Sequence, residues 1–390
     1  MKNWSYDVIV VGSGYAGSIM AHKFAEIGKR TLVLERRDHI AGNMYDEKDK
    51  NGILVHKYGP HIACMNDWRT YDFLSQFTEF VPYQHHVNAE IEGIEVPLPF
   101  NLNSIDKLFD IKKALRLKEI LINEFGMEKK VPILELRQSK NKEIRDLAEY
   151  VYEKVFLHYT TKMWGKGPEE LDPAITGRVP VHISYDDRHF TQLIQVMPKH
   201  GYTEIFKKML NHKNIDIELG VEALDRILLK DGKILYMGEE FKGILVYTGA
   251  IDELFNEKYG KLPYRSLYLK HETHMVDRLQ SVTVINWPDK RPATRRTENK
   301  LLVCQPNVPN VTSTITEYPG EYNKKGKKWN EPYYPIIEKG NIMKVEKYFK
   351  ESKKYKNLVL IGRLAEYKYY NMEAVILATL NKFEEVKDII

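Results

Sequence analysis

Residues 8–18, VIVVGSGYAGS, constrain the fold of this chain more than any other stretch. Four apolar β-branched residues run directly into glycines 12, 14 and 17. The pattern predicts a buried strand over 6–11, a helix over 18–28 ended by Gly28, and a second strand over 31–34 that ends in Glu35. Together these make a βαβ unit with an acid closing its second strand. Each part has a physical task. Gly12 makes the tight turn, Gly14 lets the backbone approach a pyrophosphate, and Gly17 lets the helix pack close to the strand. The helix N-terminus faces the phosphates, and Glu35 is placed to accept hydrogen bonds from ribose hydroxyls. A glycine-rich turn that binds nothing is the plainer reading of three glycines alone; the flanking strand, helix and acid argue for a dinucleotide.

The next residues decide between dinucleotides. ERRDHIAGN continues from Glu35 through Arg36 into Gly42 and Asn43. It resembles the flavoprotein pattern E-R-x-x-x-x-G-G-x, with Ala41-Gly42 in place of the glycine pair. A nicotinamide enzyme does not usually need that extension, so FAD is expected rather than NAD.

With 390 residues, 43% of them hydrophobic, the chain can bury two or three domains or subdomains. Its formal charge of +5 is modest and its basic residues are scattered, which argues against nucleic acid and suits a small anionic substrate. Cys64 and Cys304 read as reduced thiols of a cytoplasmic protein. The N-terminus shows no signal-peptide pattern, and no apolar run approaches the length of a membrane span. No metal-ligand cluster stands out.

Further along, YGPHI presents His61 on a rigid turn, where a histidine is more often structural than functional. A proline-bounded crossing, VPLPFNLNS, leads into a helical pattern from 104 to about 159, which reads as an insertion. In FLHYTTKMWGK, Tyr159 and Trp164 could stack a base, with Lys162 and Lys166 near phosphate; an aromatic helix cap packed on the core is the alternative. Arg178 stands in a Gly/Pro-bounded loop, where an arginine is either a mobile anion ligand or simply solvated. Residues 215–248 alternate as strands, 262–318 are strand-rich, and GRLAEYKYYNMEA predicts a helix starting near Met372 after a tyrosine-rich turn. That helix N-terminus could face a flavin's ribityl or pyrimidine edge.

The ordered set GSGYAGS, ERRDHIAGN, YGPHI, PLPFNLNS, YTTKMWGK, GRVPV, YDD, MPKHGYTE, TRRTE, YYPI and GRLAEYKYYNME resembles the prokaryotic UDP-galactopyranose mutases over essentially the whole chain. The resemblance implies an α/β fold: a Rossmann-like FAD-binding domain (1–80, 201–255 and 331–390), an inserted helical subdomain (101–165) and an antiparallel β-sheet substrate domain. The sheet would take in 81–100, 166–200 with a mobile arginine loop, and 256–330. It implies FAD that is active when reduced by an external reductant, with flavin N5 attacking the anomeric carbon of a UDP-sugar and no net redox change. Arg178 and Arg295 would grip the diphosphate, helped by Tyr334 and Tyr369. Tyr159 would stack the uracil beside Phe156 and Trp164, and Asn286 would meet its edge. His61 would sit by flavin and sugar, and Gly362, Arg363, Asn371 and Met372 would touch the flavin. A homodimer serving surface polysaccharide synthesis is the family expectation.

Three departures stand near the sugar and diphosphate. His189 replaces a tyrosine expected on the diphosphate, Asn371 replaces an acid, and GPHIACM replaces GPHIFHT. They leave open a sugar other than galactose, such as UDP-N-acetylgalactosamine or dTDP-fucose. An FAD-dependent amine oxidase-like oxidoreductase and a binder without catalysis are the competing readings.

Overall fold

The computed structural model describes residues 6–167 and 180–389. At its centre is a five-stranded parallel sheet in the order Ile215–Leu219, Thr31–Glu35, Val8–Val11, Ile244–Tyr247, Leu358–Leu360. The strand Val8–Val11 shows why the sequence runs apolar without alternation. Val8 and Val10 pack with Met20, Phe24 and Phe383 on one face, while Ile9 packs with Leu245, Tyr247 and Phe255 on the other. A strand covered on both faces needs apolar residues at every position. The helices Tyr15–Glu26 and Met372–Val386 supply the cover on the first face. Ile251–Leu254, Lys339–Ser352 and a small antiparallel meander (227–240) supply it on the second.

The first helix begins at Tyr15, three residues before the position expected from the sequence, with Gly14 as its extended N-cap. The cause lies at Gly12, whose φ of +94° turns the chain at once from strand to helix. A Cβ on Gly17 would stand 1.9 Å from the Gly12 carbonyl oxygen, so this close approach requires glycine. Gly28, at φ +85°, ends the segment as expected.

A second sheet has seven strands, in the order Tyr334–Pro335, Tyr264–His274, Thr312–Glu321, Arg295–Glu298, Val284–Asn286, Val87–Ile91, Ile94–Leu98. It is antiparallel apart from one parallel pair, Val284–Asn286 with Val87–Ile91. That pair joins segments nearly two hundred residues apart, and alternation alone does not reveal direction. The strands of 180–198 do not enter this sheet, contrary to expectation. Pro180–Ile183 pairs with Lys129–Pro132, and Ile194–Pro198 lies between Ala63–Met65 and Phe80–Pro82.

Between 102 and 164 the chain is mainly helical, broken by short turns and by one short strand, Lys129–Pro132. In Ile111–Phe125 the buried residues Ala114, Leu117, Lys118 and Leu121 fall on one stripe, Asp110 caps the start by accepting from the Lys113 amide, and Gly126 at φ +86° stops it. These helices bury their stripe against Val87, Ala89, Val96 and Val284 of the seven-stranded sheet. Cys64 and Cys304 are unbridged. Among the described residues no helix is long and apolar enough to cross a membrane, and no cluster of His, Cys, Asp and Glu is arranged to hold a metal.

Candidate functional site

The carboxyl ends of the parallel strands and one face of the seven-stranded sheet enclose a continuous cavity of about 840 Å³. A ligand crevice at the carboxyl ends of parallel strands is what an open α/β sheet provides. A second cavity, about 150 Å³, shares Tyr159, Arg295, Tyr334 and Tyr369 with the first and adds Met163 and Trp164.

At one end lie Gly12, Gly14 and Gly17, with Glu35 on the neighbouring strand. A Cβ added to Gly14 would meet nothing within 4 Å, so its backbone is open to the cavity. Glu35 is buried, and its Oε2 accepts from the Ser13 amide (2.8 Å) and Ser13 Oγ (2.7 Å), while Oε1 accepts from the Arg37 amide (3.0 Å). A carboxylate has about four acceptor positions, so capacity remains for ribose. Gly42 lies against Gly14, 3.0 Å from its Cα to a Cβ position, and Ala41 takes the left-handed conformation at φ +76° where the flavoprotein pattern has glycine.

Arg36 also lines the cavity, but its guanidinium pairs with Glu331 at 2.6 Å. Burial pulls its pKa down, and Glu331, Tyr322 and Glu253 together more than reverse this, so it stays charged. Arg37 is the residue that sequence reasoning missed. Its Nη2 donates to Glu331 (2.7 Å) and Asn43 Oδ1 (2.8 Å), and its plane lies over Tyr58, yet Nε and Nη1 are buried without a partner. A buried cation with two unused donors at the mouth of a glycine turn suits an anionic ligand. Thr248 lines the same end, within VYTGA (246–250), a stretch that resembles the late flavoprotein strand ending near its cofactor; residues 221–223, unforeseen, line it too. Their signal was topological: each follows a strand adjacent to those of the βαβ unit.

The other end is organised by sheet register. Ala89, Asn286, Arg295, Glu317 and Leu269 are successive cross-strand partners, a row across five strands. Arg295 Nε lies 2.8 Å from Glu317 Oε1, an ion pair in which neither atom attains hydrogen-bond alignment. Burial lowers the Arg295 pKa, and Glu317, Tyr159 and Tyr334 together raise it by more, for a net rise. The guanidinium is therefore a fixed cation at the wall shared by both cavities. Asn286 Oδ1 is buried with no partner and lines the main cavity, as an acceptor awaiting a donor should.

Tyr334 and Tyr369 stack at 5.9 Å, and Arg363 lies over both rings while donating to the Tyr333 (2.9 Å) and Tyr370 (2.6 Å) carbonyls. Burial, moderated by Arg295, pushes the Tyr334 hydroxyl up to about 12, and burial likewise raises Tyr159. Both phenols keep their protons at neutral pH. Trp164 faces Tyr334 at 6.4 Å across the smaller cavity. Lys162, expected near phosphate, is turned away: its ammonium donates to the carbonyls of Trp287, Arg291 and Ala293, and burial pulls its pKa down to about 8. Lys166 pairs with Glu338. Phe156 is the second correction. It is 3% exposed inside the helical core against Tyr152, lining neither cavity, because a six-residue π-helical turn (Tyr152–Leu157) sets it on the buried stripe.

His61 lines the cavity, and its backbone N–H donates to His56 Nδ1 at 3.0 Å. Burial first, then His56, Arg363 and Arg295, push its imidazole down to about 3, so it is neutral. His189 lines the cavity with Nδ1 3.0 Å from the Leu98 carbonyl. Gly362 closes on the first helix, 3.2 Å from a Cβ position to Ala16 Cβ, at φ +100°. Asn371 accepts from the Ala374 amide at 2.8 Å and so caps the last helix, a role open to aspartate and asparagine alike. Glu373 instead accepts from the amides of Asn66 and Asp67, both at 2.7 Å. Met372 lines the cavity beside them. Arg178 lies outside the described residues.

Comparison with known proteins agrees with this geometry. The family model for UDP-galactopyranose mutase matches residues 154–369, and that for the NAD(P)-binding Rossmann-like domain matches 10–77. A UDP-galactopyranose mutase of Mycoplasma pneumoniae is 34% identical over 388 residues, covering 98% of this chain and 97% of that protein. A dTDP-fucopyranose mutase of Escherichia coli is 33% identical over 374 residues, 95% of each. A crystal structure of reduced UDP-galactopyranose mutase superposes with a TM-score of 0.71 at 16% identity, covering 98% of this chain and 95% of that one, a likeness of fold. The chain belongs to the UDP-galactopyranose mutase family.

Proposed function

We propose that this chain interconverts the pyranose and furanose forms of a nucleotide sugar, UDP-galactose being the first substrate to test, with reduced FAD as its cofactor. The observation that carries the reading is the single cavity running from the glycine turn to the Asn286–Arg295 row. Its first end suits FAD: open backbone at Gly14, the Glu35 carboxylate, and two unused Arg37 donors. When bound and reduced, the flavin supplies a nucleophile for the anomeric carbon as the nucleoside diphosphate departs.

The protein's share is to hold that diphosphate while it is detached. Arg295 is charged at every working pH and is already anchored by Glu317. It holds the leaving group without reorganising, which is where fixed charges are most effective. The Tyr334 hydroxyl donates to the same phosphates, and we assign Arg178 a second cationic grip. Tyr159 and Trp164 flank the smaller cavity, which we assign to the base, and Asn286 Oδ1 would meet the edge of the base from the main cavity. Neutral His61 orients the sugar through hydrogen bonds and contributes no charge. A cytoplasmic homodimer drawing electrons from a separate reductant completes the proposal.

The test is turnover. Purified protein should be yellow, and after dithionite reduction it should convert UDP-galactose to UDP-galactofuranose, separable by anion-exchange chromatography. A colourless protein, or a reduced flavoprotein inert toward nucleotide sugars, overturns the reading. A second reading, dTDP-fucose as substrate, is favoured by the E. coli relative and by His189, and the same assay run on dTDP-fucose decides it. The amine-oxidase alternative predicts an uncharged substrate pocket; Arg295, Arg363 and the tyrosines make this one suited to an anion.

A further inference from the structure

His189 replaces a tyrosine whose hydroxyl could donate to phosphate, and its hydrogen bonding shows what an imidazole does there instead. Nδ1 lies 3.0 Å from the backbone carbonyl oxygen of Leu98. A carbonyl only accepts, so Nδ1 carries the proton. The ring is held neutral: burial lowers its pKa most, the Leu98 bond raises it by less, and the cations Arg295 and Lys130 lower it again. The other titratable ring packed on it is His85, edge to face at 5.9 Å, itself driven well below the usual histidine range by burial. A neutral imidazole with Nδ1–H has only a lone pair at Nε2. His189 lines the main cavity, and Nε2 makes no hydrogen bond among the described residues.

Phosphate oxygens at neutral pH are acceptors and cannot use that lone pair. We infer that His189 is a specificity-determining residue that accepts a hydrogen bond through Nε2 from a hydroxyl of the transferred sugar, rather than donating to the diphosphate. The inference rests on the nucleotide-sugar reading above. It assigns the tyrosine-to-histidine change a consequence: donor becomes acceptor, and contact moves from the anion to the sugar. His85, whose Nδ1 lies 3.1 Å from the Tyr83 hydroxyl, lines the cavity beside it.

The test uses the reduced holoenzyme. In His189→Asn the amide nitrogen can keep the bond to Leu98 while the Nε2 acceptor is lost; His189→Phe removes both, and His189→Gln returns an acceptor near Nε2. Loss of one neutral hydrogen bond to substrate predicts kcat/KM about tenfold lower in His189→Asn and His189→Phe, with partial recovery in His189→Gln. The Kd for UDP, read by quenching of flavin fluorescence in the oxidised protein, should stay within about twofold, since UDP carries the ribose and both phosphates but no sugar. A deoxyfluoro series of the sugar should give one position at which wild type discriminates and His189→Phe does not. If UDP affinity falls in parallel with kcat/KM, or binding of UDP to wild type tightens as pH drops from 7.5 to 5.5, His189 grips the diphosphate or ribose and the inference is wrong. If wild type itself binds no flavin or turns over no nucleotide sugar, the function has failed rather than the residue assignment.

Discussion

Arg295 is predicted to be worth as much to the fold as to the substrate, and the two contributions can be separated. Its partner Glu317 is 1% exposed, whereas the Arg295 side chain is 29% exposed to the cavity. Truncation to alanine strands a buried carboxylate. Breaking a buried pair this way costs about 3–5 kcal/mol; the cavity side of the guanidinium is solvated, so the lower figure, about 3 kcal/mol, is expected. The double variant Arg295→Ala/Glu317→Gln removes the stranded charge and should recover about 2 kcal/mol of that loss. Arg295→Lys keeps a charge near Glu317 and should cost about 1 kcal/mol or less, but a lysine cannot fork onto a diphosphate, so kcat/KM should fall by about 100-fold. Urea denaturation supplies the stabilities, and initial rates on the reduced enzyme supply the kinetics. If Glu317→Gln adds its own loss to that of Arg295→Ala instead of relieving it, the two side chains are not coupled and the argument for a pre-anchored cation fails.

The glycine turn yields a paired prediction. Gly14→Ala should leave stability within about 0.5 kcal/mol, because its Cβ meets nothing, yet flavin occupancy measured at 450 nm should drop sharply. Gly17→Ala should destabilise by about 3 kcal/mol or prevent folding, since its Cβ would strike the Gly12 carbonyl; equal stability of the two variants would refute this reading of the turn. Glu351 accepts from Tyr259 Oη and pairs with Lys258 and Lys354, and these contacts, the tyrosine bond first, lower its pKa to about 2. A depressed carboxylate pKa stabilises above the unfolded value and is lost as pH falls through the folded one. Glu351→Gln should therefore cost about 1 kcal/mol at pH 7, discounted for the exposed lysines, and nothing near pH 2; a cost that persists at pH 2 would point to shape rather than charge. His61, held at about 3, should show no imidazole titration by NMR between pH 5 and 8. Both pKa values are lowered on folding, so the direction is shared, although the fold favours the charged carboxylate and the neutral imidazole: the buried histidine's share of stability fades as pH drops below its unfolded value near 6.5.

What could be read from the chain beforehand follows from where the information is local. The βαβ unit was legible because glycines 12, 14 and 17 and Glu35 each answer a steric or hydrogen-bonding demand within thirty residues of one another. The last helix was legible for the same reason, though Asn371 had to be seen in place to be recognised as its cap. Arg37 was passed over because its neighbour Arg36 belongs to the motif, and only Glu331, 294 residues away, shows which guanidinium keeps donors unused. Asn286, Arg295 and Glu317 were scattered residues until strand register made them one row. Phe156 was misplaced because a π-helical turn shifts the helical phase, which a 3.6-residue period does not anticipate. Lys162 illustrates the reverse: a lysine beside aromatic residues looked like a phosphate ligand, while three backbone carbonyls claim it.

In the proposed reaction the nucleoside diphosphate leaves the sugar, is held by Arg295 and its neighbours, and returns. Positional isotope exchange tests it most directly, with UDP-galactose carrying ¹⁸O in the bond between the anomeric carbon and phosphorus, followed by ³¹P NMR. In the reduced protein the label should spread into non-bridging positions of the β-phosphate, and the oxidised protein should leave it in place. Furanose formed with the label still wholly in the bridge would mean that the bond never broke and that no diphosphate is released for Arg295 to hold.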